Sequence, residues 1–246
     1  MSKICIVIPT YNEKANITGL LDQIFNLRIP ELRVLVVDDN SPDGTGILVE
    51  EIRKNNSQID VLHRPNKSGL GRAYVAGFKQ ALADGADYIF EMDADLSHDP
   101  KYLPAFLEAI KANDLVLGSR YVSGGGVSNW NLSRRLVSRF GNIYARLVLG
   151  LKIKDLTGGF KCYRRAVLEQ LGLEDLSSVG YNFQIETTHK AYKLGFRIAE
   201  IPIVFAERAE GKSKFSLKIV LESFWQVLLL KFKQEIKKAR NQGGSN

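Results

Sequence analysis

Tyr88-Ile89-Phe90-Glu91-Met92-Asp93-Ala94-Asp95 runs from an apolar stretch directly into two carboxylates spaced two residues apart. The first five residues read as a buried strand, and the acids fall where that strand runs out into a loop. Ligands of open α/β sheets bind at the carboxyl ends of the strands. Two carboxylates there suit a hard divalent cation such as Mg²⁺ or Mn²⁺, which keeps open positions for phosphate oxygens. An isolated Asp-x-Asp is equally compatible with a solvated turn, so the reading depends on the rest of the chain.

Moving outward, Ile4-Cys5-Ile6-Val7-Ile8 is a continuous apolar run, as expected of a parallel strand buried on both faces. Asn12 is placed to cap a helix carrying Ile17, Leu20, Leu21, Ile24 and Phe25 at helical spacing. Val34 to Val37 is a second strand, a helix follows Pro42-Asp43, and Ile59 to Leu62 is a short third strand. Arg72 to Ala83 reads as helix, Tyr88 to Met92 as the fourth strand and Leu115 to Leu117 as the fifth. This alternation predicts an α/β fold, a doubly wound sheet in a single main domain. The first turn, Pro9-Thr10-Tyr11-Asn12-Glu13, lacks the glycine fingerprint of a dinucleotide site, and no P-loop is present. Gly69-Leu70-Gly71 fits the start of a helix better than a phosphate cradle.

The chain has 246 residues, 25% of them charged, with a net charge of +7. Arg120, Arg134, Arg135, Arg139, Arg146, Lys152 and Lys154 lie in a stretch without a single acid, and these seven equal the whole net excess. Trp130, Leu132, Leu136, Val137, Phe140, Ile143 and Tyr144 are interleaved with them, a mixture suited to a membrane interface or an anionic amphiphile. No nucleic-acid module is recognisable, which ranks nucleic acid below lipid. Cys5 and Cys162 are far apart, so neither a zinc site nor a disulfide framework is indicated. His63, His98 and His189 show no metal-ligand spacing; His98 borders the Asp93–Asp95 loop without a catalytic role. No apolar run approaches the ~18–20 residues that span a bilayer. The expectation is a cytoplasmic protein, peripherally attached to the cytoplasmic face of a membrane.

Taken together, Pro9-Thr10-Tyr11-Asn12-Glu13, Val36-Val37-Asp38-Asp39-Asn40-Ser41-Pro42-Asp43-Gly44-Thr45 and Asp93-Ala94-Asp95 resemble the GT-A-fold inverting glycosyltransferases. Gly118-Ser119-Arg120-Tyr121, Asp155-Leu156-Thr157-Gly158-Gly159-Phe160 and Arg208-Ala209-Glu210-Gly211-Lys212-Ser213-Lys214 extend the resemblance to the dolichyl- or polyprenyl-phosphate mannosyltransferases. It implies a Rossmann-like GT-A fold, with a mostly parallel central sheet flanked by helices and C-terminal amphipathic helices at the membrane surface. It also implies a catalytic domain over residues 1–231, with an acceptor region at 120–154, a mobile basic loop and amphipathic helix at 207–231, and a basic tail at 232–246.

Residue by residue, the resemblance implies that Pro9, Tyr11, Glu13, Val37 and Asp39 line the nucleoside pocket, with Asp38 shaping the turn. Asp93 and Asp95 would reach the metal, Mg²⁺ or Mn²⁺, with Ala94 close to the nucleotide. Arg208 and Lys214 would neutralise the departing diphosphate, and Gly211 and Ser213 would give their loop mobility. Phe183, Ile185 and Glu186 resemble the helix behind the site, where burial explains them as well as catalysis does. Asp95, Arg120, Arg208 and Lys214 are the catalytic candidates. Arg120, Arg134 and Ser138 are the candidates for the acceptor phosphate; Arg134 and Ser138, four apart, share one helix face.

A phosphate-monoester acceptor is already an anion near neutral pH and needs aiming more than deprotonation, a task suited to guanidinium groups. The implied reaction moves mannose from GDP-mannose to a polyprenyl phosphate with inversion. Three alternatives stand beside it. One is another donor, such as UDP-glucose. Another is a hydroxyl acceptor, which needs a carboxylate base and for which Asp175 is the one placed candidate. The last is a non-catalytic nucleotide-sugar binder at a membrane. Near the C-terminus, Leu217, Val220, Leu221, Phe224, Trp225, Leu228 and Phe232 fall at helical spacing, followed by Lys231, Lys233, Lys237, Lys238 and Arg240. This pattern fits a helix lying in the membrane interface, with part of its apolar stripe packed on the core.

Overall fold

The computed structural model describes residues 1–176, 181–206 and 224–232. Its centre is a seven-stranded sheet of β1 (Ile4–Thr10), β2 (Leu32–Asp38), β3 (Ile59–His63), β4 (Tyr88–Glu91), β5 (Leu115–Ser119), β7 (Lys161–Arg164) and β8 (Ile198–Pro202). Their order across the sheet is β3-β2-β1-β4-β7-β5-β8. β7 runs antiparallel to both of its neighbours, and the other pairings are parallel. Two two-residue strands, β6 (Gly126–Val127) and β9 (Val204–Phe205), form a separate parallel ladder.

Strand alternation divides the core into two layers. Ile4, Ile6 and Ile8 of β1 join Val34, Val36, Phe90, Val116 and Phe106 on one face. Cys5 and Val7 join Leu35, Val37, Ile89, Tyr163 and Phe78 on the other. This two-sided burial accounts for the unbroken apolar runs of β1 and β2. α3 (Leu70–Ala83) lies so close to the second face that a Cβ on Gly77 would come 2.3 Å from Val7 Cγ1.

α1 (Lys14–Asn26) starts one residue later than expected. Asn12 is not its cap: it adopts φ 60°, and Glu13 occupies the cap position without a side-chain bond. The next loop supplies what is missing. Ser41 Oγ, Thr45 Oγ1 and Asp43 Oδ2 accept the backbone N–H groups of Asn12, Glu13 and Lys14 at 3.1, 3.0 and 3.1 Å. Asp38 shapes the turn as expected, accepting from the Thr10 hydroxyl and from the Ser41 hydroxyl and N–H.

α5 (Leu132–Leu149) is capped by Asn131, whose Oδ1 accepts the Arg134 N–H at 2.9 Å. It buries Asn142, Ala145 and Leu149 and leaves Leu132, Leu136, Phe140, Ile143 and Leu147 exposed. Residues 224–232 are helical, and the Phe224 and Tyr144 rings meet at 4.2 Å. Val227 is the buried residue of that helix, whereas Trp225 and Phe232, expected on the same stripe, face outward. No helix of the described residues is long and apolar enough to cross a membrane. Arg208, Gly211, Ser213, Lys214, Leu217 to Leu221 and the basic tail fall outside the described residues.

Candidate active site

The carboxyl ends of β1, β2 and β4 carry three loops that meet above the sheet. Asp93 and Asp95 follow β4, and both are held by neighbours. The Tyr74 hydroxyl of α3 donates to Asp93 Oδ1 at 2.9 Å, and the Asp93 N–H donates to His98 Nδ1 at 3.0 Å. The Ser97 N–H and hydroxyl both donate to Asp95 Oδ1. Behind them, the Phe183 ring of α7 (Tyr181–Lys193) stacks on Tyr74 at 6.0 Å, so the helix that the resemblance placed behind the site braces the Asp93–Asp95 loop. The intervening Leu96 takes a left-handed φ of 62°, a strained conformation for a residue with a γ-branch.

Two hard-oxygen donors at a strand end fit Mg²⁺ or Mn²⁺. No cluster of three or more His, Cys, Asp or Glu side chains gathers among the described residues. A cation on Asp93 and Asp95 would therefore keep coordination positions for a diphosphate. Gly159 stands beside them: a Cβ there would come 3.5 Å from His98 Cε1 and 3.8 Å from Asp93 Oδ2. A side chain at that position would fill the space next to the carboxylate.

Of the expected nucleoside-pocket residues, Pro9 and Ala94 are buried, Tyr11 and Glu13 are half-buried, and Asp39 is buried. Asp39 Oδ1 accepts from Arg64 at 2.6 Å. Burial raises the Asp39 carboxyl above its usual range, and the Arg64 guanidinium opposes that rise. Two expectations change. The Val37 side chain is fully buried in the core facing α3, because strand alternation turns it inward, so it does not line an open pocket. The Tyr11 ring already carries the Lys67 ammonium 3.5 Å from its centroid, so a base would need the opposite face or displacement of Lys67.

The acceptor candidates also divide. Arg120 is buried, and its Nε and Nη2 donate to Asp155 at 2.7 Å each, while Nη2 also reaches Thr157 Oγ1 at 2.8 Å. Burial would raise the Asp155 carboxyl, but the Arg120 charge and its hydrogen bonds outweigh that and hold it below the ordinary range. Nε and Nη2 of the guanidinium are thus held by Asp155 and Thr157, a pairing the sequence reading of Arg120 as an acceptor-phosphate residue did not include. Arg134 lies 4.1 Å over the Trp130 ring. Ser138 Oγ accepts from the Tyr121 hydroxyl at 2.8 Å.

Sequence reading gave three members of this wall no role in the site. Phe205 on β9 meets Trp130 at 5.6 Å on one side and His98 at 5.6 Å on the other, linking the arginine cluster to the loop of Asp93. Trp130 is buried, and its Nε1–H has no acceptor among the described residues. Asp155 is the third; the first carboxylate after an acid-free run of seven cations was the signal that could have found it. Asp175, the candidate base, sits exposed on a 3₁₀ turn, next to Glu174, which pairs with Lys79 on α3.

A further buried cluster involves Glu91, two residues before Asp93. Lys161 Nζ donates to the Gln184 carbonyl at 2.9 Å and to Thr187 Oγ1 at 3.0 Å, and the Tyr163 hydroxyl donates to Glu91 Oε1 at 2.9 Å. Burial pushes Glu91 up to about 7 and Lys161 down to about 8, each opposed by the charge of the other.

This geometry, with paired carboxylates after β4, an interlocked pair of loops at β1 and β2 and a cationic wall opposite, is that of a sugar-nucleotide transferase. The chain belongs to glycosyl transferase family 2, whose profile matches residues 5–172. It is 45% identical over 221 residues to the undecaprenyl-phosphate mannosyltransferase of Micrococcus luteus, covering 90% of each chain. It is 44% identical over 224 residues to the polyprenol monophosphomannose synthase of Mycolicibacterium smegmatis, covering 90% of this chain and 84% of the relative. Its fold is similar to that of a Pyrobaculum calidifontis mannosyltransferase solved with GDP-Man and Mn²⁺ (TM-score 0.64, 20% identity, 96% of this chain and 64% of that one). It is equally similar to the Mycobacterium tuberculosis glucosyl-3-phosphoglycerate synthase solved with Mn²⁺, UDP-glucose and glycerol 3-phosphate (TM-score 0.64, 22% identity, 93% and 78%).

Proposed function

We propose that this chain transfers mannose from GDP-mannose to a polyprenyl phosphate, giving polyprenyl-phosphate β-mannose and GDP. The observation that carries the reading is the 44–45% identity, over 90% of the chain, to two enzymes named for that lipid class and sugar. The cationic wall opposite Asp93 and Asp95 supports it.

In the reaction an acceptor phosphate oxygen bonds to the anomeric carbon as the bond from that carbon to the diphosphate breaks, inverting the linkage from α to β. A divalent cation, Mg²⁺ or Mn²⁺, supplies charge stabilisation for the leaving diphosphate when bound. Asp93 and Asp95 hold that cation, directly or through water, and Tyr74, His98 and Ser97 fix their directions. Pro9, Tyr11, Glu13 and Asp39 accommodate the nucleoside, Ala94 lets the nucleotide approach closely, and Val37 contributes only backbone. Arg208 and Lys214 neutralise the diphosphate. Arg134 and Ser138 aim the acceptor phosphate, with the Trp130 N–H as a further donor on that side. Arg120 positions the wall through Asp155, Trp130 and Phe205. An acceptor that arrives ionised needs no general base, which leaves Asp175 without a catalytic task.

The lipid is met at a membrane surface. Leu132, Leu136, Phe140, Ile143 and Leu147 form a fully exposed stripe along α5, with Trp225, Leu229 and Phe232 exposed on the helix beside it. Such a face, flanked by arginines, suits the cytoplasmic interface of a bilayer, with contact by residues 120–154 and 207–231 and by the basic tail.

The test is a panel of nucleotide sugars against one short polyprenyl phosphate, with and without metal chelation. GDP-mannose should be the preferred donor, and chelation should abolish transfer. Asp95→Asn, nearly isosteric, should lose on the order of 10²–10³-fold in kcat with unchanged unfolding, the scale of a lost transition-state electrostatic contact. Asp175→Asn should stay within a few-fold of wild type. A loss there on the order of 10²–10⁴-fold, as for a removed general base, would favour a hydroxyl acceptor.

A further inference from the structure

Arg139, Arg146 and Lys154 line one recess of about 340 Å³ together with Tyr121, Asn142 and Ile143. Arg139 and Arg146 are seven residues apart on α5, two helical turns, so they lie on one flank of the helix with Ile143 between them. No carboxylate among the described residues pairs with any of these three cations. The floor is rigid. Asn142 donates to the Ser138 carbonyl and to Thr157 Oγ1 at 3.0 Å each, and its own oxygen accepts the Leu156 N–H at 2.7 Å.

Three like charges gathered over a fixed polar floor repel one another until an anion joins them. The recess opens beside the exposed stripe: Phe140, Ile143 and Leu147 are 63, 44 and 70% exposed, next in sequence to the arginines or between them. A ligand that matches both features carries a phosphate and hydrocarbon on the same molecule. A free phosphate would use the cations and leave the stripe in water. The recess borders the acceptor candidates at Ser138, which Tyr121 and Asn142 touch, and runs away from them: Arg146 lies about 18 Å further along the helix axis than Arg134.

We propose that this recess holds the headgroup phosphate of an anionic membrane phospholipid, a second lipid site that is not the substrate site. The bound headgroup anchors α5 with its apolar stripe in the acyl boundary and sets the height of the active site above the surface. This deepens the membrane-surface reading given above and rests on it.

The experiment compares partitioning of the full chain onto phosphatidylcholine vesicles with and without 30 mol % phosphatidylglycerol, both free of polyprenyl phosphate, so sugar transfer plays no part. Two double variants remove equal charge: Arg139→Gln/Arg146→Gln inside the recess, and Arg135→Gln/Lys152→Gln elsewhere in the same acid-free stretch. Wild type should prefer the anionic vesicles. The recess variant should lose about 30-fold in partition coefficient, as for two cations at an anionic surface, and the control variant less than about 3-fold. Turnover of a short, water-soluble acceptor should be unchanged in the recess variant. Equal losses in the two variants would overturn the site and leave only diffuse attraction. Absence of wild-type binding to either vesicle would instead sink the membrane-surface reading beneath it. A calorimetric titration with inorganic phosphate, without vesicles, separates the sources. Saturable millimolar binding lost in the recess variant would assign the site to a free phosphate and overturn the lipid.

Discussion

Residues 10–14 and 38–45, on the side proposed for the donor, exchange hydrogen bonds wherever they meet, whereas α5, on the side proposed for the acceptor, presents Arg139 and Arg146, which pair with no carboxylate among the described residues. The difference follows what each side has to hold. A nucleoside diphosphate is small and of one shape, so its pocket can be assembled in advance from Asp38, Ser41, Asp43 and Thr45 locked onto the backbone of the neighbouring loop. A lipid phosphate comes with a surface behind it, so the cations that meet it can stay near the surface of the helix and need not be locked into a closed pocket. Where the acceptor side does commit a cation, at Arg120, it does so completely and inside the core.

That contrast can be broken most strongly at Asp155. Asp155→Asn removes the carboxylate that accepts three N–H bonds from Arg120 and leaves a buried guanidinium uncompensated. The expected loss is about 3–5 kcal/mol in unfolding free energy, measured by denaturant titration. A loss under about 1 kcal/mol would mean that the pair contributes little and that Arg120 finds other partners.

Arg134→Ala should act on function and leave the fold alone. Losing one charge-assisted hydrogen bond costs ~1.5–3 kcal/mol, roughly a 10- to 150-fold fall in acceptor kcat/KM. Calorimetric GDP-mannose affinity should stay within a few-fold of wild type. If donor affinity falls and acceptor kinetics hold, the division between the two sides is wrong at this residue.

The smallest effect is expected on the prebuilt side. Asp43→Ala removes the acceptor of the Lys14 and Thr45 N–H groups and should cost about 1 kcal/mol, the scale of a helix cap. Burial works to raise this carboxyl, and its bonds to Thr45 and Lys14 outweigh that and hold it below 3.8. A depressed folded value means the contribution is complete above the unfolded value and disappears as pH falls through the folded one. Wild type and Asp43→Ala should therefore differ at pH 7 and converge in acid, which paired denaturation curves would detect.

β1, β2 and β4 were legible in the sequence because burial on both faces writes itself as apolar runs, and the Asp93–Asp95 pair was legible because it follows one of them. β7 was not. Its residues Lys161, Cys162, Tyr163 and Arg164 carry two cations, and Lys161 is buried only because Gln184, Thr187 and Glu91 surround it from distant parts of the chain. β6 and β9 were invisible at two residues each. The cap of α1 was misassigned to Asn12 because its true acceptors lie about 30 residues downstream, a tertiary solution to a local problem. The pairing of Arg120 with Asp155 was not foreseen, because the two are 35 positions apart and only the end of the acid-free run marks the carboxylate.

The seven cations between Arg120 and Lys154 match the whole excess of +7, so the rest of the molecule is electrically balanced. A body whose charge is unevenly spread turns as it approaches a field. Within the ionic atmosphere of an anionic surface, about 10 Å thick at 0.1 M salt, attraction on that stretch acts as a torque as well as a pull. At the surface proposed above, the molecule would therefore arrive already turned, α5 first, without a search through orientations after contact. Added salt shortens the distance over which that alignment works while leaving the buried Arg120–Asp155 pair almost untouched.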